Sequence, residues 1–559
     1  MKKTVILTFL ILCASLPASA DMEQPSLTKQ QKILHVLNRL TFGPEPRDIA
    51  RVKKIGIPKF IEEQLNPEKI QDSQCEKDLK DYKTLKLSNA ELYKLYPPAE
   101  MVFKKQRAEG NPPTDEEVKA VNKKHQIILQ DLTEAKLIRM VESRRQLLEV
   151  MDDFWFNHFN VSFQKNKVKW FLPTYEREVI RPRALGKFKD LLYAVAHSAA
   201  MLEYLDNAQS VIDARYVAED DMMMYPKAAR KEMSDKGKGK KKRGLNENYA
   251  RELMELHTLG VDGGYSQKDV IEVARILTGW SYGSPQELKN GKAQPHEVFG
   301  FKFRANQHDQ GVKTVMGKTY GPNGGEEEGS QLLDFLCEQP QTARFISRKL
   351  CRKFVCDNPP QELVDRVSKR FRETGGDIKQ TLRAIFESPE FLDPQYYRAK
   401  VKSPAEFMAS TLRVTGARLD DPLKVSRALY GMGEPLYLCE PPTGYPDEAK
   451  AWVNSSALLN RLNFSKNLLR QNSEDSDGPV FVDLPRLSPH LASGDGKAIL
   501  KDFFKAFLGG DLSASTREVL LKKLDDPEIS HAALDDQHKR YEAVQLGTLV
   551  LGSPEFQRR

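Results

Sequence analysis

Apolar residues recur with helical spacing along most of the chain. Three short stretches between residues 28 and 68 repeat the i, i+3, i+4 spacing of a packed helix. From Glu134 to Phe159 a long helical pattern ends in MDDFWFNHFNVS, which is apolar or aromatic on nearly every face and predicts a buried helix. Only HEVFGFKFRANQHDQGVKTVMGKTYG alternates apolar and polar residues, which predicts a small β-hairpin around residues 299–320. We therefore expect an all-α fold, a multi-helix body with one small β-hairpin.

Interruptions in these patterns divide the chain into segments. The first half predicts N-terminal helices at 21–68, a charged excursion of exposed helices and loops at 69–135, and buried core helices at 136–210. The second half predicts a lysine-rich flexible insert at 211–243, a helical hairpin plus the β-hairpin at 244–330, C-terminal helices at 331–472, and a polar loop with terminal helices at 473–559.

The segment from Asn246 to Trp280 combines a clear helical pattern with a dense set of functional groups. On a helical wheel of its first part, Tyr249, Ala250, Leu253, Met254 and Leu256 form one apolar arc. His257 falls inside this arc and Glu252 lies at its border. Gly260 and the turn Asp262-Gly263-Gly264 end the helix, and Ser266 to Asp269 resembles a capping box. We expect a helical hairpin whose first helix carries the chemistry.

Carboxylates beside an imidazole or a carboxamide can transfer protons or hold a divalent metal such as Ca²⁺, Mn²⁺ or Zn²⁺. The candidate catalytic residues are Glu252, His257, Glu247 and Asp206. The candidate binding residues are Asn207, Asn246, Asn248, His158, His308 and Asp309. No HExxH, G-x-S-x-G, phosphate-loop or dinucleotide motif is present, so no reaction type is favoured.

Each candidate also has a structural explanation. His158 follows Phe154 by one turn and is either a hydrogen-bonded core histidine or a ligand or general base. Asp206, Asn207 and Asn246 can cap helices, and Asp309 can form the exposed turn of the predicted hairpin. Because a flexible insert can leave its two ends adjacent, Asp206-Asn207 and Asn246-Glu247-Asn248 are expected to form one site.

The N-terminus predicts export. Lys2 and Lys3 precede an apolar run from Val5 to Leu16, and Ala18-Ser19-Ala20 has the small-x-small form of a cleavage site. Residues 1–20 are therefore a predicted signal peptide of a periplasmic or extracellular protein, and no later run is long enough for a membrane span. Without Lys2 and Lys3 the formal charge is mild, with 84 basic against 78 acidic residues, and does not imply nucleic-acid binding. The lysine-rich insert is either a solvated loop or a surface for an anionic polymer.

Five cysteines follow the predicted cleavage site, an odd number that leaves at least one thiol without an intramolecular partner. Cys351 and Cys356 lie in RKLCRKFVC, which predicts an amphipathic helix with buried thiols.

Motifs along nearly the whole mature chain are those of a known family. They are RLTFGP, FWFNHFNVS, YEREVIRPRALGKFKDLL, LDNAQS, NENYARELMELHTLGVDGGYSQKDV, HDQGVKT, FISRKLCRKFV, TGGDIKQTLRAIFESPEF, PPTGYPDEAKAWVNSSALLNR and SPEFQ. The chain resembles the bacterial exported family known as domain of unknown function eighteen-hundred. The resemblance implies an exported, mainly helical protein, often encoded beside a second exported protein with a sulfatase-like or phosphatase-like fold. It assigns no role to any residue.

Two hypotheses of different classes follow. The first is a metal-assisted or acid/base hydrolase acting on an envelope or extracellular polymer, because acids and a histidine concentrate on one short helix. The second is a non-catalytic envelope protein that binds a partner, such as the sulfatase-like neighbour, or an anionic polymer. In the second, Glu247, Arg251 and Glu255 form surface i, i+4 pairs.

Overall fold

The computed structural model describes residues 26–213, 244–290, 297–471, 478–525 and 536–559. The predicted signal peptide and all but the first three residues of the lysine-rich insert lie outside the described residues.

The fold is mainly helical, as predicted. The helices of the first third are Lys29–Leu40, Pro46–Ile55, Ile57–Leu65, Ser73–Asp78, Asn89–Leu95, Ala99–Val102, Lys104–Ala108, Asp115–Glu142, Gln146–His158, Val168–Thr174, Phe188–Ala196 and Ala199–Tyr204. Those of the middle are Glu247–Glu252, Gln267–Ile276, Pro285–Lys289, Glu326–Glu338, Pro340–Phe354, Gln361–Glu373 and Ile378–Phe386. The last are Pro404–Thr415, Pro422–Ser426, Ala428–Met432, Ala449–Trp452, Ser455–Arg470, Leu484–Leu487, Gly496–Leu508, Ala514–Lys522, Asp536–Leu551 and Pro554–Gln557.

Within the described ranges, three antiparallel strand pairs accompany the helices. Lys313–Val315 pairs with Lys318–Tyr320 in a hairpin that turns at Met316 and Gly317, within the region where the sequence predicts one. Phe301–Phe303, from the same predicted region, instead pairs with Trp280–Tyr282. A third pair, Arg418–Leu419 with Val480–Phe481, joins segments far apart in sequence, which local alternation does not reveal.

The helical pattern predicted to be continuous from Glu134 to Phe159 is two helices with a break at Ser143. Asp72 accepts hydrogen bonds from the Ser143 hydroxyl at 2.6 Å and from the Arg144 backbone N–H at 2.7 Å. A distant carboxylate therefore stabilises the break. The 69–135 segment is also less exposed than predicted, because the 28-residue helix Asp115–Glu142 begins within it and buries Ile128 and Leu132.

The buried apolar side chains form one cluster that extends from Ile33 to Phe556. The helix Gln146–His158 is largely buried within it. Trp155 is fully buried and donates its indole N–H to the carbonyl of Ala184 at 2.9 Å. This packing fixes the position of the side chains at the end of that helix. None of the helices in the described ranges combines the length and the apolar character needed to cross a membrane.

The five cysteines after the predicted cleavage site, Cys75, Cys337, Cys351, Cys356 and Cys439, are all free thiols. Cys351 lies in the helix Pro340–Phe354 and Cys356 just beyond it, both buried, as RKLCRKFVC predicts.

Candidate active site

The predicted hairpin begins as expected at Asn246. The side-chain oxygen of Asn246 accepts a hydrogen bond from the Asn248 backbone N–H at 2.9 Å and caps the helix Glu247–Glu252. The helix then continues as a π-helix from Leu253 to Thr258 and ends at Gly260, whose φ is +85°. The predicted capping box of Ser266 and Asp269 opens the second helix, Gln267–Ile276. Local sequence signals therefore determine this hairpin.

The two polar clusters that flank the insert do come together. The Asn246 side-chain amide donates to the carbonyl of Leu205 at 3.2 Å, and the Asn246 backbone N–H donates to the Ser210 hydroxyl at 3.2 Å. Asn207 is fully buried and donates to the carbonyls of Leu277 and Trp280, both at 3.1 Å. The amides join neighbouring segments of backbone, which is a structural role.

The candidate acids of this region have separate partners. Asp206 forms an ion pair with Lys165 at 2.7 Å. Glu247 accepts from Gln267 at 2.7 Å and lies 3.5 Å from Arg251. Glu252 is half-buried, and burial together with the nearby Glu255 carboxylate raises its pKa. Among the described residues, no hydrogen bond or ion pair joins these acids to one another or to His257.

His308 and Asp309 are buried, not exposed at a turn as the sequence predicts. Asp309 forms an ion pair with Arg275 at 2.8 Å, and the Arg275 guanidinium also pairs with Glu272. Nδ1 of His308 lies 2.9 Å from the carbonyl oxygen of Thr278, and its Nε2 lies 3.5 Å from Glu328. Glu328 also pairs with the buried Lys313 at 2.6 Å. This ion-pair cluster fixes the base of the Lys313–Tyr320 hairpin.

His158 and His257 are both buried and lie close together, with ring centroids 6.3 Å apart. Nε2 of His158 lies 3.2 Å from the carbonyl oxygen of His257, so this nitrogen must carry the proton. Nδ1 is then free to accept from the Lys349 amine at 3.0 Å. Burial and the Lys349 charge lower the pKa of His158, and the same two causes lower that of His257 to about 3. Both imidazoles are neutral at physiological pH.

A polar cavity of about 60 Å³ lies beside the same helix end, where Phe154 and Asn157 line it. At roughly 10–15 Å³ per water, such a volume holds about four to six waters or one small chemical group. The charged residues that line the cavity are Lys136, Asp153, Lys353, Lys400, Glu406, Glu434, Asp447 and Arg559.

The loop Cys439–Asp447 covers the cavity and is fixed to the buried helix by two asparagines. Asn157 accepts the backbone N–H of Tyr445 at 2.7 Å and donates to its carbonyl at 2.9 Å. Asn160 donates to the carbonyls of Cys439 and Pro441 at 3.0 and 2.8 Å. A Cβ at Gly444, whose φ is +72°, would lie 2.3 Å from the backbone oxygen of Asn157. Only glycine permits this close approach.

Most charges around the cavity are paired. Glu406 lies 2.9 Å from both the Lys353 amine and the Arg559 guanidinium, and Asp153 lies 3.0 Å from the Lys136 amine. Burial raises the pKa of Glu406, but Arg559 and Lys353 outweigh it and hold that pKa well below its usual range. Glu406 is therefore a permanent anion between two cations.

Glu434 and Lys400 differ from the other charged residues that line the cavity, because burial brings their pKa values close to neutral pH. Glu434 accepts the backbone N–H of Ala405 at 2.7 Å and, among the described residues, forms no ion pair within 4.0 Å. Burial, with a smaller contribution from Asp153, raises its pKa to about 8. Lys400 pairs with Asp357 and donates to the carbonyl of Asp447 at 2.9 Å. Burial and the Arg559 charge nevertheless lower its pKa to about 8. At pH 7 the cavity therefore contains a protonated carboxyl group and an amine that readily gives up its proton.

None of the predicted candidate residues lines the cavity, although His158 lies in sequence between two residues that do, Asn157 and Asn160. Lys400 and Glu434 lie in YRAKVKSP and GMGEPLY, which contain no spacing typical of a catalytic motif. One signal could have led to the site: a Pro/Gly loop, PPTGYP, and an aromatic helix end rich in asparagine, FWFNHFN. The described residues contain no group of three or more His, Cys, Asp or Glu side chains arranged to hold a metal ion.

A family model described as "Protein of unknown function (DUF1800)" matches residues 35–558. The chain belongs to this family. The match includes the helix Gln146–His158, the loop Cys439–Asp447 and every residue that lines the cavity except Arg559. No curated protein and no solved structure matches the chain.

Proposed function

We propose that the chain is an acid/base hydrolase with its active site in the polar cavity. The observation that carries this proposal is that Glu434 and Lys400 line one small, partly open cavity and have pKa values of about 8 each. Titratable groups shifted toward neutrality in a cavity are typical of acid/base catalysis, because a catalytic acid or base works best when its pKa is near the working pH.

The two groups have complementary roles in the hydrolysis of an ester. Neutral Lys400 takes a proton from water as the water oxygen attacks the carbonyl carbon. Protonated Glu434 gives a proton to the leaving oxygen as the carbon–oxygen bond breaks. In one turnover Lys400 gains a proton and Glu434 loses one. Transfer of a proton from Lys400 to Glu434 then restores both groups. The positive charges of Lys353 and Arg559 lie at the same cavity and favour the negative charge that develops on the carbonyl oxygen.

The size of the cavity limits the substrate group. A space of about 60 Å³ admits a group of only a few non-hydrogen atoms, such as an acyl substituent. A longer polymer would therefore present a side group and remain outside the loop Cys439–Asp447. The N-terminal export pattern supports an envelope or extracellular location for such a substrate.

The test is hydrolysis of small chromogenic esters, phosphates and glycosides by the purified full-length protein. We expect ester hydrolysis with a bell-shaped pH dependence that peaks near pH 8, because Glu434 must be protonated and Lys400 neutral. Glu434→Gln and Lys400→Met are each expected to lower kcat/KM by about 100-fold or more.

Matched controls are Glu440→Gln and Lys450→Met, which make the same changes at exposed positions that do not line the cavity. Both controls should retain activity within about twofold of the wild type. Ester turnover that survives Glu434→Gln, or no turnover above the buffer rate, would overturn the proposal.

A further inference from the structure

A second concavity, a half-open groove of about 930 Å³, shares no lining residue with the cavity. It lies between the turn Leu259–Asp262 and the helices Pro340–Phe354 and Gln361–Glu373. Arg344 and Arg348 come from the first helix, and Arg372 comes from the second. Since Asp262 is the one acid among the described residues that line it, the groove is cationic.

The three guanidinium groups remain available to a ligand. Arg344 lies 3.4 Å from Asp365, but both side chains are about half exposed or more, so water weakens this pair. Arg348 donates to the neutral amide of Gln361 at 2.6 Å. Arg372 is exposed, and its side chain forms no ion pair within the described ranges. An anionic ligand would therefore supply charge that the groove itself lacks.

The uncharged residues that line the groove indicate which class of anionic ligand it binds. Phe345 contributes an aromatic ring, and the Gly260 turn packs against it so closely that a Cβ there would lie 2.9 Å from Cδ2 of the ring. Gln341 and Ser368 add an amide and a hydroxyl. An aromatic ring suits the C–H face of a sugar, amide and hydroxyl groups suit sugar hydroxyls, and guanidinium groups suit carboxylates.

We propose that this groove binds an acidic polysaccharide through its carboxylates. An acidic peptide could pair its carboxylates with the same arginines. We favour the polysaccharide because its hydroxyl groups and C–H faces also match Gln341, Ser368 and the Phe345 ring. The proposal uses no residue of the lysine-rich insert, and it does not depend on the hydrolase.

The test measures binding of an oligomer of galacturonic acid to the full-length protein by titration calorimetry at several salt concentrations. Affinity should fall as salt rises, because the contacts are ionic and exposed. Arg372→Gln is expected to weaken binding about tenfold by removing a charge-assisted pair. Arg370→Gln is the matched control: it makes the same change on the same helix, where Arg370 donates to Gln380 and lies outside the groove. The control should change affinity less than about twofold.

Three results would overturn the proposal: no binding of the uronate oligomer, equal losses for the two variants, or equally tight binding of a neutral oligosaccharide. Binding of polyglutamate with the same tenfold dependence on Arg372 would assign the groove to acidic peptides instead. Arg372→Gln should leave hydrolysis of a small ester unchanged, so failure of this proposal is distinguishable from failure of the hydrolase proposal.

Discussion

Glu434 and Lys400 show how burial, more than a neighbouring charge, sets the chemistry of single residues in this protein. Burial disfavours the charged form of both groups, so it raises the pKa of the acid and lowers that of the amine. The contrast with Glu406 is informative, because Glu406 is also buried but lies against Lys353 and Arg559, which keep it ionised. Partners decide which of two buried acids keeps its proton.

The protonated state of Glu434 makes stability depend on pH. In the unfolded chain its carboxyl group loses its proton near the ordinary glutamate pKa, whereas in the folded chain it keeps the proton up to about pH 8. Between these values the folded state binds one more proton, so stability falls as pH rises. Relative to Glu434→Gln, the wild type should lose about 3 kcal/mol of unfolding free energy between pH 5 and pH 8.

Denaturant unfolding of the two proteins at each pH checks this prediction. A difference between wild type and variant that stays constant over this range would show that Glu434 is ionised in the folded state.

Lys349 is expected to keep His158 and His257 from taking up protons. NMR of proteins with labelled histidine rings should show both residues neutral at pH 6.5, since burial and the Lys349 charge lower both pKa values below the ordinary histidine value. Lys349→Met should raise the pKa of His257, while burial, the larger cause, still holds it below the ordinary histidine value. Titration of His257 near pH 6.5 in the wild type would contradict this arrangement.

The sequence predicted some of these residue environments and missed others. His158 and His257 stood out because each interrupts an apolar helical face, and both are buried. Lys400 and Glu434 did not, because their environments depend on segments distant in sequence, including Arg559 beside Lys400 and Asp153 beside Glu434. The spacing of residues along the chain does not predict contacts between such distant segments.

At the level of elements, the site depends on one loop held against one helix. The loop Cys439–Asp447 has one internal backbone hydrogen bond, from Gly444 to Pro441 at 3.1 Å, and Asn157 and Asn160 satisfy four of its backbone groups. Asn157 lies in the helix Gln146–His158, and Asn160 follows the end of that helix by two residues. Because the helix is buried in the core, the loop takes its position from a rigid element.

Gly444→Ala should loosen this loop. The new Cβ would meet the Asn157 backbone oxygen at 2.3 Å, and φ is +72°, so we expect a loss of about 2–4 kcal/mol of unfolding free energy. Gly433→Ala is the control, because its φ is +90° but nothing lies within 4 Å of the added Cβ. It should cost only about 1 kcal/mol.

Thermal unfolding and limited proteolysis of the loop measure these effects. Equal losses for the two alanine variants would show that the contact with Asn157 contributes nothing beyond the backbone conformation.

The ends of helices could be predicted where residues close by in the sequence determine them. Gly260 and the box of Ser266 and Asp269 end and begin helices where the sequence places them. The break at Ser143 was not predictable, because Asp72, far away in the chain, supplies its hydrogen bonds. The pairing of Trp280–Tyr282 with Phe301–Phe303 was missed for a similar reason, since an intervening segment separates the two strands.

At the scale of the whole molecule, one apolar cluster supports two concave sites of different character. The cavity is small, covered and lined by both signs of charge, whereas the groove is open and mainly cationic. An enclosed site suits chemistry on a small group, and an open one suits binding of a long chain. A hydrolase that holds a polymer in one place and acts on its side groups in another would use both.

The most direct test of the central proposal is the protonation of Glu434 itself. Carbon NMR of protein labelled at the glutamate carboxyl carbons, with Glu434→Gln to assign the signal, would follow this one group from pH 4 to pH 10. We predict a carboxyl group that titrates with a pKa of about 8. A resonance that titrates near 4.5, the ordinary value, would contradict the proposal, because Glu434 could then not serve as the acid at neutral pH.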